Sequence, residues 1–193
     1  WIKYPVNLVT ATTDGMASIL LASDDSSSRE GQTRPEGVDV ASHQRNVDWE
    51  SLGISFAYVK ATEGTGYVNP YFASQYEGAY NANLIRGAYH FALPNVSSGA
   101  AQARHFLKNG GEWISDGKTL PGALDLEYNP YGATNYGLSA SDMVAWIHEF
   151  VDTYYDATNS YHTFWQYTST GPGVGDHNKF NGGMAGLRRM ATG

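Results

Sequence analysis

From Gly37 onward the chain alternates β-patterned apolar runs with segments of helical period, and this alternation constrains the fold more than any other feature. Strands are predicted at residues 38–41, 54–61, 84–92, 120–128 and 161–167, with a short last one at 178–180. Helices are predicted between them. The one at 69–82 opens on Asn69-Pro70, a capping residue followed by proline. The one at 97–109 is stopped by Gly110-Gly111. The clearest, at 139–155, carries Met143, Ile147, Phe150, Val151 and Tyr154 at helical spacing, with Ser139 three residues before Asp142 as its cap. Arg188 and Arg189 suit the C-terminal end of a short final helix. Such alternation implies a mainly parallel sheet, open or closed. A closed (β/α) barrel uses eight strands and ordinarily at least ~200 residues, so six strands within 37–193 leave it short. The expected class is therefore α/β, an irregular (β/α) barrel-like domain at 37–193 whose closure lacks two strands.

Residues 1–36 read as an N-terminal arm and linker. Segment 23–36 is almost wholly polar, and two apolar runs precede it at 5–9 and 16–22, split by Asp14-Gly15 as in a hairpin. The start at Trp1, without Met or a signal segment, reads as a processed or trimmed chain. One hypothesis is that the two apolar runs fill the missing strand positions. There are no cysteines, which excludes a disulfide scaffold and thiolate zinc sites. Twelve basic and 19 acidic residues give a net charge of −7, which argues against nucleic acid as a partner. No run approaches the ~18 apolar residues of a membrane span.

The sharpest chemical feature is Asp125-Leu126-Glu127. Residues two apart on a strand share a face and lie ~6.6 Å apart along its axis, while Leu124 and Leu126 turn to the other, apolar side. Two carboxylates so placed at a strand end repel, which leaves an acid beside a base, the pairing that glycoside hydrolysis requires. Asp39, ending the first strand, and Asp176, in a Gly-rich turn, are weaker candidates alone. Lys60 and Glu63 follow the second strand and could be an ordinary ion pair. Aromatic residues gather at strand ends, among them Tyr58, Tyr89, Tyr128, Tyr131, Tyr136 and Trp165. Part of this set is core. Rings beside carboxylates and amides also make platforms for sugars, whose C–H faces stack on them. The six histidines show no metal-binding spacing.

Together these pieces resemble the family 25 glycoside hydrolases, the CH-type lysozymes or N-acetylmuramidases. The resemblance is carried by Gly37-Val38-Asp39-Val40-Ala41-Ser42-His43, Tyr58-Val59-Lys60-Ala61-Thr62-Glu63-Gly64, Gly87-Ala88-Tyr89-His90-Phe91, Asp125-Leu126-Glu127, Phe164-Trp165-Gln166-Tyr167 and Asp176-His177-Asn178-Lys179-Phe180. They occur in the family's order. The resemblance implies cleavage of the β-1,4 bond between N-acetylmuramic acid and N-acetylglucosamine in bacterial peptidoglycan. Glu127 would be the general acid. Asp125 would orient the 2-acetamido group or stabilise the oxocarbenium-like transition state, with acetamido participation favoured by analogy. Asp39 and Asp176 would complete an acidic floor. Tyr89, Tyr58, Lys60, Glu63, Tyr128, Trp165 and Gln166 would bind substrate. No cofactor and no metal are implied, and the expectation is a secreted, monomeric, antimicrobial hydrolase. The chain departs from the family between the 139–155 helix and the Phe-Trp-Gln-Tyr strand, where two strands are missing. Two other readings stand beside this one: a wall-binding module without turnover, and a metal-dependent carbohydrate hydrolase using Asp39, His43 and Asp176.

Overall fold

The structure is a computed structural model, and it describes residues 34–159, 164–168, 176–180 and 183–192. The hypothesis for the two N-terminal apolar runs falls outside the described residues. Strands β1 (Glu36–Val40), β2 (Phe56–Glu63), β4 (Ile85–Phe91) and β5 (Ala123–Asp125) run parallel to one another. The two-residue β3 (Tyr67–Val68) folds back on β2 as an antiparallel hairpin. Strands β6 (Phe164–Thr168) and β7 (Asp176–Phe180) extend the sheet on the other side, giving the order β5-β4-β2-β1-β7-β6. The sheet curls into a half-barrel. Among the described residues β5 and β6 are its two edges.

Parallel pairing holds where a helix crosses between strands and stops where none does. Helices α1 (Phe72–Asn81) and α2 (Gly99–Phe106) follow β2 and β4. Between β6 and β7 there are only residues 169–175, too few for a crossover, and the pair is antiparallel. Strand β7 is also antiparallel to β1. Helix α3 (Ala140–Thr158) starts where its sequence predicts: Ser139 Oγ accepts from the Asp142 amide at 3.2 Å. Helix α1 begins later than Asn69-Pro70 suggests. Asn69 is buried instead, with its Oδ1 accepting from the Tyr71 amide and its Nδ2 donating to Lys60 and Gln75. Strand β5 is far shorter than the predicted 120–128. Pro121 has no N–H, and the Gly122 amide is taken by the Tyr154 hydroxyl at 2.7 Å, so the ladder starts at Ala123.

Alternation along the strands divides the core into two sides. Outward residues Val38, Val40, Ala57 and Val59 pack with Trp49, Ala79 and Leu84 near α1. Further along, Ala88, Ala92 and Leu126 pack with Phe106, Trp146, Phe150 and Tyr154 of α2 and α3. The lower interior is closed by Phe56, Tyr58, Ile85, Tyr89 and Leu120 against Leu187 and Ala191 of α4 (Met184–Thr192). Burying each such ring or branched chain contributes about 1.5–3 kcal/mol. Two glycines make room for the rings. Gly37 is paired with Phe56 and Gly87 with Tyr58, and a Cβ there would sit 2.5 Å and 2.3 Å from the respective rings.

Candidate active site

Register arranges the interior-facing residues in tiers, because side chains paired across a ladder point to one side. The lower tier contains Asp39, Tyr58 and Gly87, the next Lys60, Tyr89 and Ala123, and the upper Glu63, Phe91 and Asp125. Asp39 is also the backbone partner of Asp176 across the antiparallel pair. Asp39 and Asp125 are three strand spacings apart across the sheet, roughly 14 Å, and four residues apart along the strands, roughly 13 Å, a path that the curl of the half-barrel shortens. Leu124 packs toward α2 and α3, so Asp125 stands on the opposite, interior side; β5 ends at Asp125, so the half-buried Glu127 lies just beyond the strand, where the sequence spacing puts it on the strand itself.

A bulge between Lys60 and Thr62 shapes the upper tier. In a regular strand, positions 60 and 63 point to opposite faces. The extra residue shifts the parity, so Lys60 pairs with Tyr89 while Glu63 pairs with Phe91, both on the interior. Lys60 Nζ then reaches Glu63 Oε2 at 2.5 Å and lies over the Phe91 ring, 4.5 Å from its centre. Glu63 Oε1 accepts from the Tyr131 hydroxyl at 2.7 Å. One carboxylate thus ties β2 to the loop that carries Glu127.

That loop, residues 126–138, is anchored by a residue the sequence reading did not assign to the site. Tyr136 is buried, donates its hydroxyl to Ala92 O, and holds a left-handed backbone at φ +61°. A bulky residue is strained there, and such strain gathers at functional sites. Burial, with the charges of Asp125, Glu127 and Glu63 and the nearby Tyr131, pushes its hydroxyl up to about 12. Tyr136 therefore lies within electrostatic reach of the whole acidic rim. A left-handed tyrosine before Gly137 leaves no mark in composition or spacing.

Behind the site, the bulge also turns Thr62 outward to pair with His90. The Gln102 amide sets the histidine tautomer. Its Nε2 donates to Leu93 O at 2.7 Å, so its Oε1 accepts from His90 Nε2 at 2.9 Å. His90 Nδ1 then accepts from Thr62 Oγ1 at 2.7 Å. The ring is completely buried and stacked on Phe150, and burial lowers its pKa to about 4. It is a neutral strut.

The remaining expected residues fall in different places. Tyr58 is buried beneath the rim and donates to Pro121 O at 2.9 Å, so it supports the floor instead of reaching open space. Tyr89 is 8% exposed and packs with the same floor. Tyr128 is half exposed, beside Glu127. Trp165, Gln166 and Asp176 are placed by backbone alone, in β6 and β7. His43 is exposed, and among the described residues no group of three or more His, Asp or Glu side chains could hold a metal ion. Among the described residues no helix is long and apolar enough to cross a membrane.

Comparison with known proteins points to one family. The sequence model of "Glycosyl hydrolases family 25" matches residues 38–169. Lysozyme M1 of Streptomyces globisporus is 41% identical over 81% of this chain and 71% of its own. That alignment spans 209 residues, more than the whole of this chain, so the relative carries internal residues with no counterpart here. An N,O-diacetylmuramidase of Arthroderma benhamiae is 36% identical over 97% of this chain and 99% of its own. Among solved structures, a family GH25 lysozyme from Aspergillus fumigatus superposes with a TM-score of 0.80 at 41% identity, covering 83% of this chain and 100% of that one.

Proposed function

The chain belongs to glycosyl hydrolase family 25, and from that premise we propose that it is a muramidase cleaving the β-1,4 bond between N-acetylmuramic acid and N-acetylglucosamine in bacterial peptidoglycan. The observation that carries the reading is Asp125 at the C-terminal end of β5, on the interior side of the curled sheet, with Glu127 two residues on in the loop that follows. Active sites of parallel barrel sheets lie at that end of the strands. The relatives are named lysozyme and N,O-diacetylmuramidase.

In this reading Glu127 donates its proton to the glycosidic oxygen as the bond to the anomeric carbon breaks. Asp125 accepts the N–H of the substrate's 2-acetamido group and aims its carbonyl oxygen at the anomeric carbon. The acetamido oxygen closes a five-membered ring, and water then opens it, giving its hydroxyl to the anomeric carbon and its proton to Glu127. Participation of the substrate's acetamido group is taken by analogy with the family. Asp39 and Asp176 stabilise the positive charge of the transition state. Lys60, Glu63 and Tyr128 line the groove. The enzyme acts outside the cell, where its substrate is, and as a monomer.

Glu127→Gln keeps the shape and removes the transferable proton. Clearing of a cell-wall suspension should fall by about 10²–10⁴-fold without loss of thermal stability. Persistent hydrolysis would overturn the assignment of the acid. NMR of the first-formed reducing sugar should show the β anomer, and an α product would exclude acetamido participation.

A further inference from the structure

We propose that Tyr131 is a saccharide-stacking platform, fixed beside the carboxylate pair by its hydroxyl bond to Glu63. The inference rests on the muramidase reading and adds a binding residue to it. Tyr131 is 71% exposed, and its hydroxyl donates to Glu63 Oε1 at 2.7 Å. An exposed tyrosine ordinarily keeps its polar tip in solvent and lays its ring on the protein. Here the order is reversed, with the tip fastened and the ring presented.

The fastening is stiff. The other Glu63 oxygen is taken by Lys60 Nζ at 2.5 Å, and Lys60 in turn lies over Phe91. Glu63 reaches this position through the β2 bulge, which costs a ladder bond and is found beside functional sites in sheets. At the backbone, the Tyr131 amide donates to Asn129 Oδ1 at 2.9 Å, and the Asn129 amide donates to Thr134 O at 3.0 Å. The ring is thus ordered before any ligand arrives, which removes the entropic cost of fixing it on binding.

Its location is set by the same loop. Tyr131 lies four residues after Glu127, and Glu63, which holds its hydroxyl, shares a tier with Phe91 and Asp125, two strand spacings or roughly 10 Å from Asp125. On this proposal, the sugar unit next to the one whose glycosidic oxygen meets Glu127 lies against that ring. The C–H face of the neighbour would lie on it, with the Glu63 carboxylate and Lys60 ammonium at the ring edge to take its hydroxyls.

The test uses the full chain and purified insoluble peptidoglycan, in two backgrounds. In the Glu127→Gln background, co-sedimentation reads binding alone. Adding Tyr131→Ala should raise the apparent Kd about tenfold, and Tyr131→Phe, which keeps the ring and loses the fastening, about threefold. In the active chain, Tyr131→Ala should raise KM by a similar factor with kcat within about twofold. Unchanged Kd and KM in Tyr131→Ala would overturn the proposal, as would a fall in kcat at constant KM, which would make Tyr131 a positioning residue for Glu127. If the unsubstituted chain fails to hydrolyse wall while Tyr131→Ala still weakens sedimentation, the muramidase reading fails and the platform stands.

Discussion

The floor and the rim of the half-barrel are built from the same four parallel strands, a few residues apart, and obey opposite rules. In the floor, Phe56 and Tyr58 lie across Gly37 and Gly87, and contact is so close that no Cβ fits. At the rim, Lys60, Glu63, Asp125 and Glu127 place charges on the same interior face, held by hydrogen bonds and a bulge. Passing from floor to rim takes a single step of the alternation, from Tyr58 to Lys60 on β2. The floor gains from burial and is intolerant of volume. The rim gathers carboxylates around one lysine, and it tolerates shape-conserving changes while losing chemistry. Stability and function are separated along the strand axis, so substitutions should separate them too.

The largest separation is expected at Glu127. Glu127→Gln should abolish most turnover, as above, while its thermal midpoint stays level, because the amide keeps the shape of the neutral acid. A midpoint falling with activity would mean that Glu127 also holds the loop together.

Next comes His90, which stands behind the rim and belongs to the floor's side of the division. It is neutral in the fold, with a pKa lowered by burial to about 4 from 6.5. The unfolded chain therefore binds this proton first as pH falls. Stability is fully present above about pH 6.5, is lost progressively down to about pH 4, and levels off below, for a total of about 3 kcal/mol. Denaturant midpoints between pH 7 and 4 read that slope. His90→Gln should flatten it, and a variant with the full slope would assign the acid sensitivity to carboxylates instead.

Much of the floor was legible in the sequence, and much of the rim was not, for one physical reason. Alternation and helical period report burial, so β1, β2, β4 and α3 appear where the pattern puts them, down to the Ser139 cap. The pair Asp125 and Glu127 stands out because apolar neighbours frame it. A bulge is one extra residue and leaves the pattern of β2 intact, so the shared face of Lys60 and Glu63 could not be read. The same holds for Tyr136, whose left-handed backbone is imposed by the loop. Strand β5 was read too long because the Tyr154 hydroxyl, more than thirty positions away, takes the Gly122 amide. Tyr58 looked like a groove residue because a strand-end aromatic has the same signature whether it faces the floor or the rim.

Gly87→Ala tests the floor directly. The new methyl would stand 2.3 Å from a Tyr58 ring whose hydroxyl is fixed on Pro121 O, so the ring cannot swing aside. Overpacking of this kind costs about 1–3 kcal/mol, and the thermal midpoint should drop by about 2–4 °C per kcal/mol. Below the transition, kcat should be unchanged. A large loss of kcat in the folded protein would show that the floor sets the height of Lys60 and Tyr89, and the separation would break.

The smallest effect probes the joint between the two regions. Ser139 caps α3 directly after the 126–138 loop, accepting from the Asp142 amide and donating to Asp142 Oδ2 at 2.7 Å. Helix α3 in turn carries Trp146, Phe150 and Tyr154 of the outer core, and the Tyr154 hydroxyl bonds both Gly111 and Gly122 at the start of β5. Ser139→Ala should cost about 1 kcal/mol, read as a small fall in the denaturant midpoint. If the loop is held chiefly by Tyr136 and by the Glu63 bond, that loss stays in the helix, and kcat and KM remain at their original values. If kcat falls in step with stability, the cap transmits to Glu127 through the loop, and Ser139→Asp, which restores an acceptor to the Asp142 amide, should recover both.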